Sequence, residues 1–239
     1  MDSSLHKTML TFVSATRLSR SEFETSSPLA LSLRKVGQLT PLRLHLVTQN
    51  TRPLAETYNA AIEACGPDEQ LVFVHDDVSL DDWLAGPRLG EALSRFDVVG
   101  VVGNRRDQSG QETWYMQPGK WVDGVRVMDT RDRGYLSGAV AHGPVVGANV
   151  SVYGPTPQPV ALLDGLLLAA NGMRLKTSGV RFDPALAFHL YDLDFCRSAR
   201  QAGLTLGTWP IAVTHTSSGD SLRSEPWQAA CAHYLRKWA

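Results

Sequence analysis

Cysteine is scarce in this chain, with three residues, Cys65, Cys196 and Cys231, among 239. An odd number at unrelated spacings makes no disulfide framework, and two of the three lie within apolar helical patterns. That favours reduced, buried thiols and a reducing compartment. Long apolar runs are lacking as well. No stretch approaches the ~20 apolar residues of a membrane span, and the opening MDSSLHKTML has no apolar run of signal-peptide length. Neither sign of charge prevails, since 23 Lys and Arg face 24 Asp and Glu for a formal net charge of -1. This excludes the electrostatic footprint of a nucleic-acid binder and the basic block of a lipid-surface protein. Repeats and low-complexity tracts are also missing. The expectation is a cytoplasmic, soluble protein with no nucleic-acid partner and no membrane span. Its length suits one large α/β domain or one domain with a long insertion, and 43% hydrophobic residues are ample for a core.

What is present is organised around residues 71–80, LVFVHDDVSL. Leu71, Val72, Phe73 and Val74 form the continuous apolar run of a strand buried on both faces. The run leads into His75, Asp76 and Asp77, which can bind a metal or titrate, and then into Asp81 and Asp82. In open α/β sheets ligands bind at the carboxyl edge of the strands. For Asp81 and Asp82 the simpler reading holds, capping of a helix from about 83 to 96.

Around this strand, apolar and helical segments alternate. Residues 9–13 read as a strand ending in Ser14, Ala15, Thr16 and Arg17; Ser27, Pro28 and Gly37 bracket a helix with Leu29, Leu33 and Val36 on one face. A strand at 42–47 ends in Thr48, Gln49 and Asn50. A helix comes next with Leu54, Tyr58, Ile62 and Cys65 about a turn apart, and 98–102 is another buried strand. Four alternations within the first hundred residues predict a mostly parallel central sheet with helices on both faces. The polar strand ends converge on one edge, so Ser14, Thr16, Gln49 and Asn50 are expected to line a ligand pocket. Asn59 and Tyr58 would lie beneath it, and Tyr58 equally well only packs its helix on the sheet.

From about 104 to 159 glycine and proline become frequent and periodicity fades, yet Trp114, Tyr115, Trp121 and Tyr135 argue for ordered loops rather than disorder. Regularity returns at 160–170, interrupted by Asp164 and Gly165. A second constellation, FHLYDLDFCRSARQAG, places Asp192 and Asp194 in the first turn of a helix, where the dipole favours carboxylates. Two positions apart, they point to nearly opposite sides, so one is expected to be structural. A strand at 204–213, interrupted by Pro210, leads to His215, which alone reads as an ordinary hydrogen-bonded histidine. Asp77 and His215 both come after apolar strands at one expected edge and are candidates for a shared divalent cation. In the C-terminal segment, Trp227, Cys231, Tyr234, Leu235 and Trp238 share a helical face. That face is expected to dock on the chain's own core, next on a partner subunit in a homo-oligomer, and third on a membrane interface, for which Arg236 and Lys237 are too few basic residues.

In this order, YNAAIEA, LVFVHDDV, Asp164–Gly165, YDLDFCRSARQAG and VTHTSSG resemble the family-2 glycosyltransferases of GT-A fold, more narrowly the bacterial glycosyltransferase-like group with an FVHxDV strand end. The resemblance runs over residues 9–219 and implies a single nucleotide-diphospho-sugar transferase domain over 1–239. The Gly/Pro-rich region at about 104–159 would be its acceptor side, with a C-terminal helix at about 225–238. It implies that His75 and Asp77 hold the positions of the family's metal-binding D-x-D-like motif, with His215 as a further ligand. Asp192 matches the catalytic base, and Tyr191 stands where the family has glutamate.

The activity this resemblance implies is a metal-dependent inverting transfer from a nucleotide-diphosphate sugar, a UDP-sugar first among them, to a hydroxyl of a glycan or other acceptor. A divalent cation, Mn²⁺ or Mg²⁺, would neutralise the leaving diphosphate, and a histidine ligand tilts the choice to Mn²⁺. Ser14, Thr16, Gln49 and Asn50, with Tyr58 and Asn59 beneath them, would line the donor's base and ribose, and Asp76 would serve the ribose or hold His75. Asp164 and Gly165 would orient the acceptor, and Trp114 or Trp121 would stack on its ring. Two other classes stand beside this one: a non-catalytic sugar-nucleotide-binding module and, third, a nucleotidyltransferase. The last lacks its usual signal, because SATRLSRSE has no glycine.

Overall fold

The computed structural model describes residues 9–123, 125–127, 130–216 and 224–238. The strands are β1 Met9–Ala15, β2 Leu42–Val47, β3 Glu69–Val74, β4 Val78–Leu80, β5 Val98–Gly100, β6 Val102–Asn104, the hairpin β7 Lys120–Val122 and β8 Val125–Val127, β9 Leu136–His142, β10 Asn149–Gly154, β11 Gln158–Pro159, β12 Leu162–Leu163, β13 Leu167–Asn171, β14 Leu206–Thr208 and β15 Val213–His215. The helices are α1 Arg20–Ser26, α2 Pro28–Val36, α3 Leu54–Ala64, α4 Ala85–Leu93, α5 Gly172–Ser178, α6 Tyr191–Gln201 and α7 Glu225–Trp238. Among the described residues no helix is long and apolar enough to cross a membrane.

Local chemistry accounts for most boundaries. Ser27 caps α2 through its side chain with Pro28 at the first position, and Gly37 ends it. Helix α1, which hydrophobic periodicity does not announce, starts at a capping box of Ser19 with Glu22. Helix α4 begins two residues later than expected, and Asp82 holds its approach by accepting from the Leu84 N–H at 2.9 Å.

The sheets are mixed, which corrects the expectation of a mostly parallel one. The large sheet runs β11-β14-β5-β13-β3-β1-β2. Strands β1, β2 and β3 are parallel, as is β14 with β5, but β13 lies antiparallel between β3 and β5. A second sheet, β12-β6-β9-β15-β4 with β10 on β9, takes the ends of segments that read as single strands. The run at 98–102 breaks at Val101 into β5 and β6, one in each sheet; that at 204–213 breaks into β14 and β15. Glycines permit the crossing: a Cβ on Gly103 would sit 2.3 Å from the Leu162 carbonyl oxygen, and one on Gly138 (φ +93) would sit 1.9 Å from that of Val101. An apolar run has the same appearance in one buried sheet as in two.

Beneath the carboxyl end of β3 lies an aromatic core. Tyr58 is 4.9 Å from Phe73 and 5.1 Å from Phe182, and Phe182 stacks on Phe195 at 4.2 Å, all as ring centroids. All four are fully buried or nearly so. Tyr58 packs its helix on the sheet in this core. Helix α7 closes the fold on the chain's own core, burying Trp227, Cys231 and Tyr234. The Trp238 indole donates to Asp194 at 2.7 Å, Lys237 pairs with Asp194 at 2.7 Å, and Arg197 donates to the Trp238 carbonyl at 2.9 Å. Asp194, wholly buried, thus anchors the C-terminal helix.

Candidate active site

The site grows from the ends of β3 and β15. Strand β15 runs antiparallel to β4 with His215 opposite Val78, and the Thr216 N–H donates to the Asp77 carbonyl at 3.0 Å. This stitching brings residues far apart in sequence together: His215 Nε2 lies 3.3 Å from Asp77 Oδ1, and the His75 and His215 rings are 5.9 Å apart. One donor atom from each of His75, Asp77 and His215 falls within 4.8 Å of the others. Divalent cations hold such donors at about 2.0–2.2 Å, so a modest inward closure would let all three grip one ion.

The hydrogen-bond chain around His75 fits that use. Tyr191 Oη donates its one proton to the Gly165 carbonyl at 2.9 Å. His75 Nε2 lies 2.7 Å from the same oxygen. A histidine held through one ring nitrogen offers the other to a metal, the usual arrangement of a ligating histidine. Burial, first among the causes, pushes the His75 pKa down against the charge of Asp77 and keeps the ring neutral. Burial pushes His215 down too, but the hydrogen bond and charge of Asp77 outweigh it and its pKa ends above the ordinary value.

The chain continues to the second carboxylate. Leu190, in the left-handed region at φ 59, turns the backbone into α6 and sets Tyr191 and Asp192 in its first turn. The Gly165 N–H donates to Asp192 Oδ2 at 2.9 Å and the Leu193 N–H to Oδ1 at 3.0 Å. A Cβ on Gly165 would sit 2.4 Å from Tyr191 Oη, so this glycine is required by packing. Burial first, then the charge of Asp164, raise the Asp192 pKa to about 7, against the pull of the backbone N–H groups. Asp164 accepts from the Trp114 indole at 2.6 Å and from the Leu166 N–H at 2.9 Å.

Two cavities flank these groups. A cavity of about 170 Å³ is lined by His75, Trp114, Asp164, Gly165 and Asp192, with Thr113 and Trp227 in its wall. A larger one, of about 1020 Å³, opens at the ends of β1 and β2 and is lined by Thr16, Arg17, Gln49, Asn50, Arg52 and Asp76. Phe188, 53% exposed, lines both, and its ring stacks on His75 at 5.7 Å. An apolar hollow of about 770 Å³ lies against the second sheet and contains none of the metal-competent or acceptor-side groups.

Of the expected donor residues, Thr16, Gln49, Asn50 and Asp76 meet in the larger cavity, with Thr16 Oγ1 donating to Asp76. Ser14 is fully buried and outside the lining, as is Tyr58. Asn59 is engaged elsewhere: its amide spans the backbone of Phe182 at 2.8 and 2.9 Å. Trp114 is 6% exposed, borders the small cavity and donates to Asp164. Trp121 is in β7, its side chain lying outside the described residues, as do 217–219 of the late motif. Arg17, Arg52, Thr113 and Phe188 join the site without having been expected there. A basic residue at a strand end could have marked Arg17; nothing local marks an exposed Phe188.

No protein-family model matches the chain, and no curated protein matches it in sequence. Solved structures do. The catalytic domain of Drosophila beta1,4-galactosyltransferase 7, in complex with xylobiose, is 11% identical over 97% of this chain and 80% of that one, with a TM-score of 0.48. The 4-diphosphocytidyl-2C-methyl-D-erythritol synthase of Anaerococcus prevotii is 11% identical over 96% and 99%, at 0.43. The A197 protein from STIV is 13% identical over 84% and 81%, at 0.46. A likeness at this level says nothing of activity or substrate.

Proposed function

We propose that this chain is a metal-dependent inverting glycosyltransferase that moves a sugar from a nucleotide-diphosphate donor, a UDP-sugar first among candidates, to a hydroxyl acceptor in the cytoplasm. One observation carries the reading: His75, which groups with Asp77 and His215, lines a small cavity holding a carboxylate of raised pKa, and Phe188, stacked on His75, also borders the larger cavity that Arg17 and Arg52 line.

Arg17 and Arg52 suit the diphosphate, and the Thr16–Asp76 pair suits the ribose hydroxyls. His75, Asp77 and His215 would hold a divalent cation, Mn²⁺ ahead of Mg²⁺ because two of the three donors are imidazoles. When bound, such an ion neutralises the charge that develops on the leaving diphosphate. Asp192 takes the proton of the acceptor hydroxyl. The freed oxygen attacks the anomeric carbon, the bond from that carbon to the phosphate oxygen breaks, and the nucleoside diphosphate departs from the opposite face, inverting the centre. A base with a pKa of about 7 is poised for this work near neutrality. The Gly165 N–H holds Asp192 in place, and the charge of Asp164, itself fixed by Trp114, raises its pKa. The test is transfer from a panel of sugar nucleotides in Mn²⁺, by the intact protein and by Asp192→Asn. Turnover that Asp192→Asn matches would refute the reading, whereas a loss of about 10²–10⁴ supports it.

A further inference from the structure

An extended apolar surface lies away from the groups of the mechanism. From Gly134 to Leu163 the chain contains no Asp, Glu, Lys or Arg. This stretch builds β9 and β10 and the loop at 143–148 that joins them. Strand alternation sends Val150 and Val152 to the outer face of the second sheet, where they are 60% and 76% exposed. Val145 and Val146 in the loop, and Trp83 from the approach to α4, are exposed to a similar degree. Val150, Val146 and Trp83 all line the hollow of about 770 Å³, so strand, loop and hollow form one surface.

The same strand has a free edge. β10 pairs with β9 alone, and among the described residues no backbone hydrogen bond reaches its other side. The N–H and C=O groups along such an edge are met by water or by another strand. Other sheet edges are poorer templates. Strands β4, β11 and β12 are two or three residues long, and β2 carries exposed Arg43 and His45. A lipid surface suits β10 badly, because hydrocarbon leaves an open strand edge unsatisfied and the stretch has no Lys or Arg to attract anionic headgroups. A second copy of the strand suits it well. A two-fold axis brings each group near it against its own copy, so a charged strand repels itself there. β10, NVSVYG, has no charge to repel.

We propose that β10 is a self-association surface: two copies of this chain pair their β10 strands antiparallel about a two-fold axis, extending the second sheet of one copy into that of the other. Centred on Ser151, the pairing sets Val150 of each copy opposite Val152 of the other, on one apolar face. Val145, Val146, Val150, Val152 and Trp83 expose on the order of 500 Å² per copy, large for one patch on a monomer and much of the ~800 Å² per partner of a standard interface. The joined strand edges and the flanks of the loop add the remainder. Tyr153 of the same strand packs on Trp114 at 4.8 Å, in the wall of the small cavity, so association braces that wall without entering the cavity.

Sedimentation equilibrium of the full chain from about 0.1 to 100 µM, the range open to interfaces of this size, tests this. The mass should rise with concentration to twice the 26.1 kDa of one chain. Between about 0.1 and 1 M NaCl the association should change less than about threefold, since no ion pair crosses the axis. Val152→Lys, at an exposed position, should keep the far-UV circular dichroism of the wild type. It should weaken association by at least about a hundredfold, because each dimer contains the change twice. Leu39→Lys, exposed elsewhere, should leave association unchanged. In the wild type, amide hydrogen exchange over residues 149–154 should slow as the dimer forms. A chain that stays monomeric throughout would overturn the proposal. So would a dimer that Val152→Lys leaves intact, or one that Leu39→Lys disrupts equally. Exchange at 149–154 that ignores concentration would do the same, and decides the matter if Val152→Lys does not fold. Binding of a monomeric wild type to phospholipid vesicles, lost in Val152→Lys, would give the surface to a membrane instead and refute the dimer.

Discussion

Replacing Asp192 by asparagine should separate two consequences of one buried carboxyl group. Its pKa is raised from 3.8 to about 7, by burial first and by the charge of Asp164 second. Between these values the native protein holds a proton that the unfolded chain has released, so raising the pH through this window costs the native state stability, and above about pH 7 the whole cost is present. At ~1.4 kcal/mol per pKa unit the shift is an upper bound of ~4 kcal/mol. Asparagine cannot ionise and escapes that cost. It gives up one acceptor, since Gly165 and Leu193 both donate to the carboxylate, a loss of about 1 kcal/mol at every pH. The variant should therefore be about as stable as the wild type at pH 5 and more stable by ~2–3 kcal/mol at pH 8.5. Urea unfolding of both proteins from pH 5 to 9 measures this difference directly, because groups common to the two largely cancel. Wild-type turnover should rise as the pH passes about 7 and Asp192 ionises, while the residual rate of the variant stays flat across that range. Parallel stability curves for the two proteins would refute the reasoning about burial, whatever the activities show.

The other expectations are as direct. Asp77→Ala should abolish Mn²⁺-dependent binding of UDP in calorimetry while the far-UV circular dichroism stays that of the wild type; retained Mn²⁺ dependence would remove Asp77 from the metal site. Asp194→Asn should weaken the anchorage of α7 to Trp238 and Lys237 and lower stability by ~2–3 kcal/mol, read by denaturant titration, with turnover little changed. Gly165→Ala would force a methyl to 2.4 Å from Tyr191 Oη. It should uncouple His75 from Asp192 and cut turnover more than tenfold, and a crystal structure of the variant would show Tyr191 displaced. Deletion from Glu225 onward should expose the core that Trp227 and Tyr234 cover and reduce Tm sharply; an equally stable truncated monomer would contradict that packing.

The chain's own sequence determined what can be decided within a turn or a strand. The buried run 71–74, the Ser27–Pro28–Gly37 bracket of α2, the apolar stripe of α3 and the acidic first turn of α6 are all local matters of burial and capping, and the structure has each. The opposition of Asp192 and Asp194 comes from helical spacing alone: one reaches the site, and the other anchors α7. The convergence of Asp77 and His215 could be expected from polar strand ends sharing an edge. Only the tertiary structure decided how close they come, because that distance depends on β4 pairing with β15 across more than a hundred residues. It alone decided the antiparallel entry of β13 and the division of two apolar runs between sheets, since periodicity along a strand has no information about the neighbour it meets. The hydrogen bond of His75 and the raised pKa of Asp192 belong to the same class. Both arise from partners on separate segments, Tyr191 and Asp164, and from the exclusion of water once those segments pack.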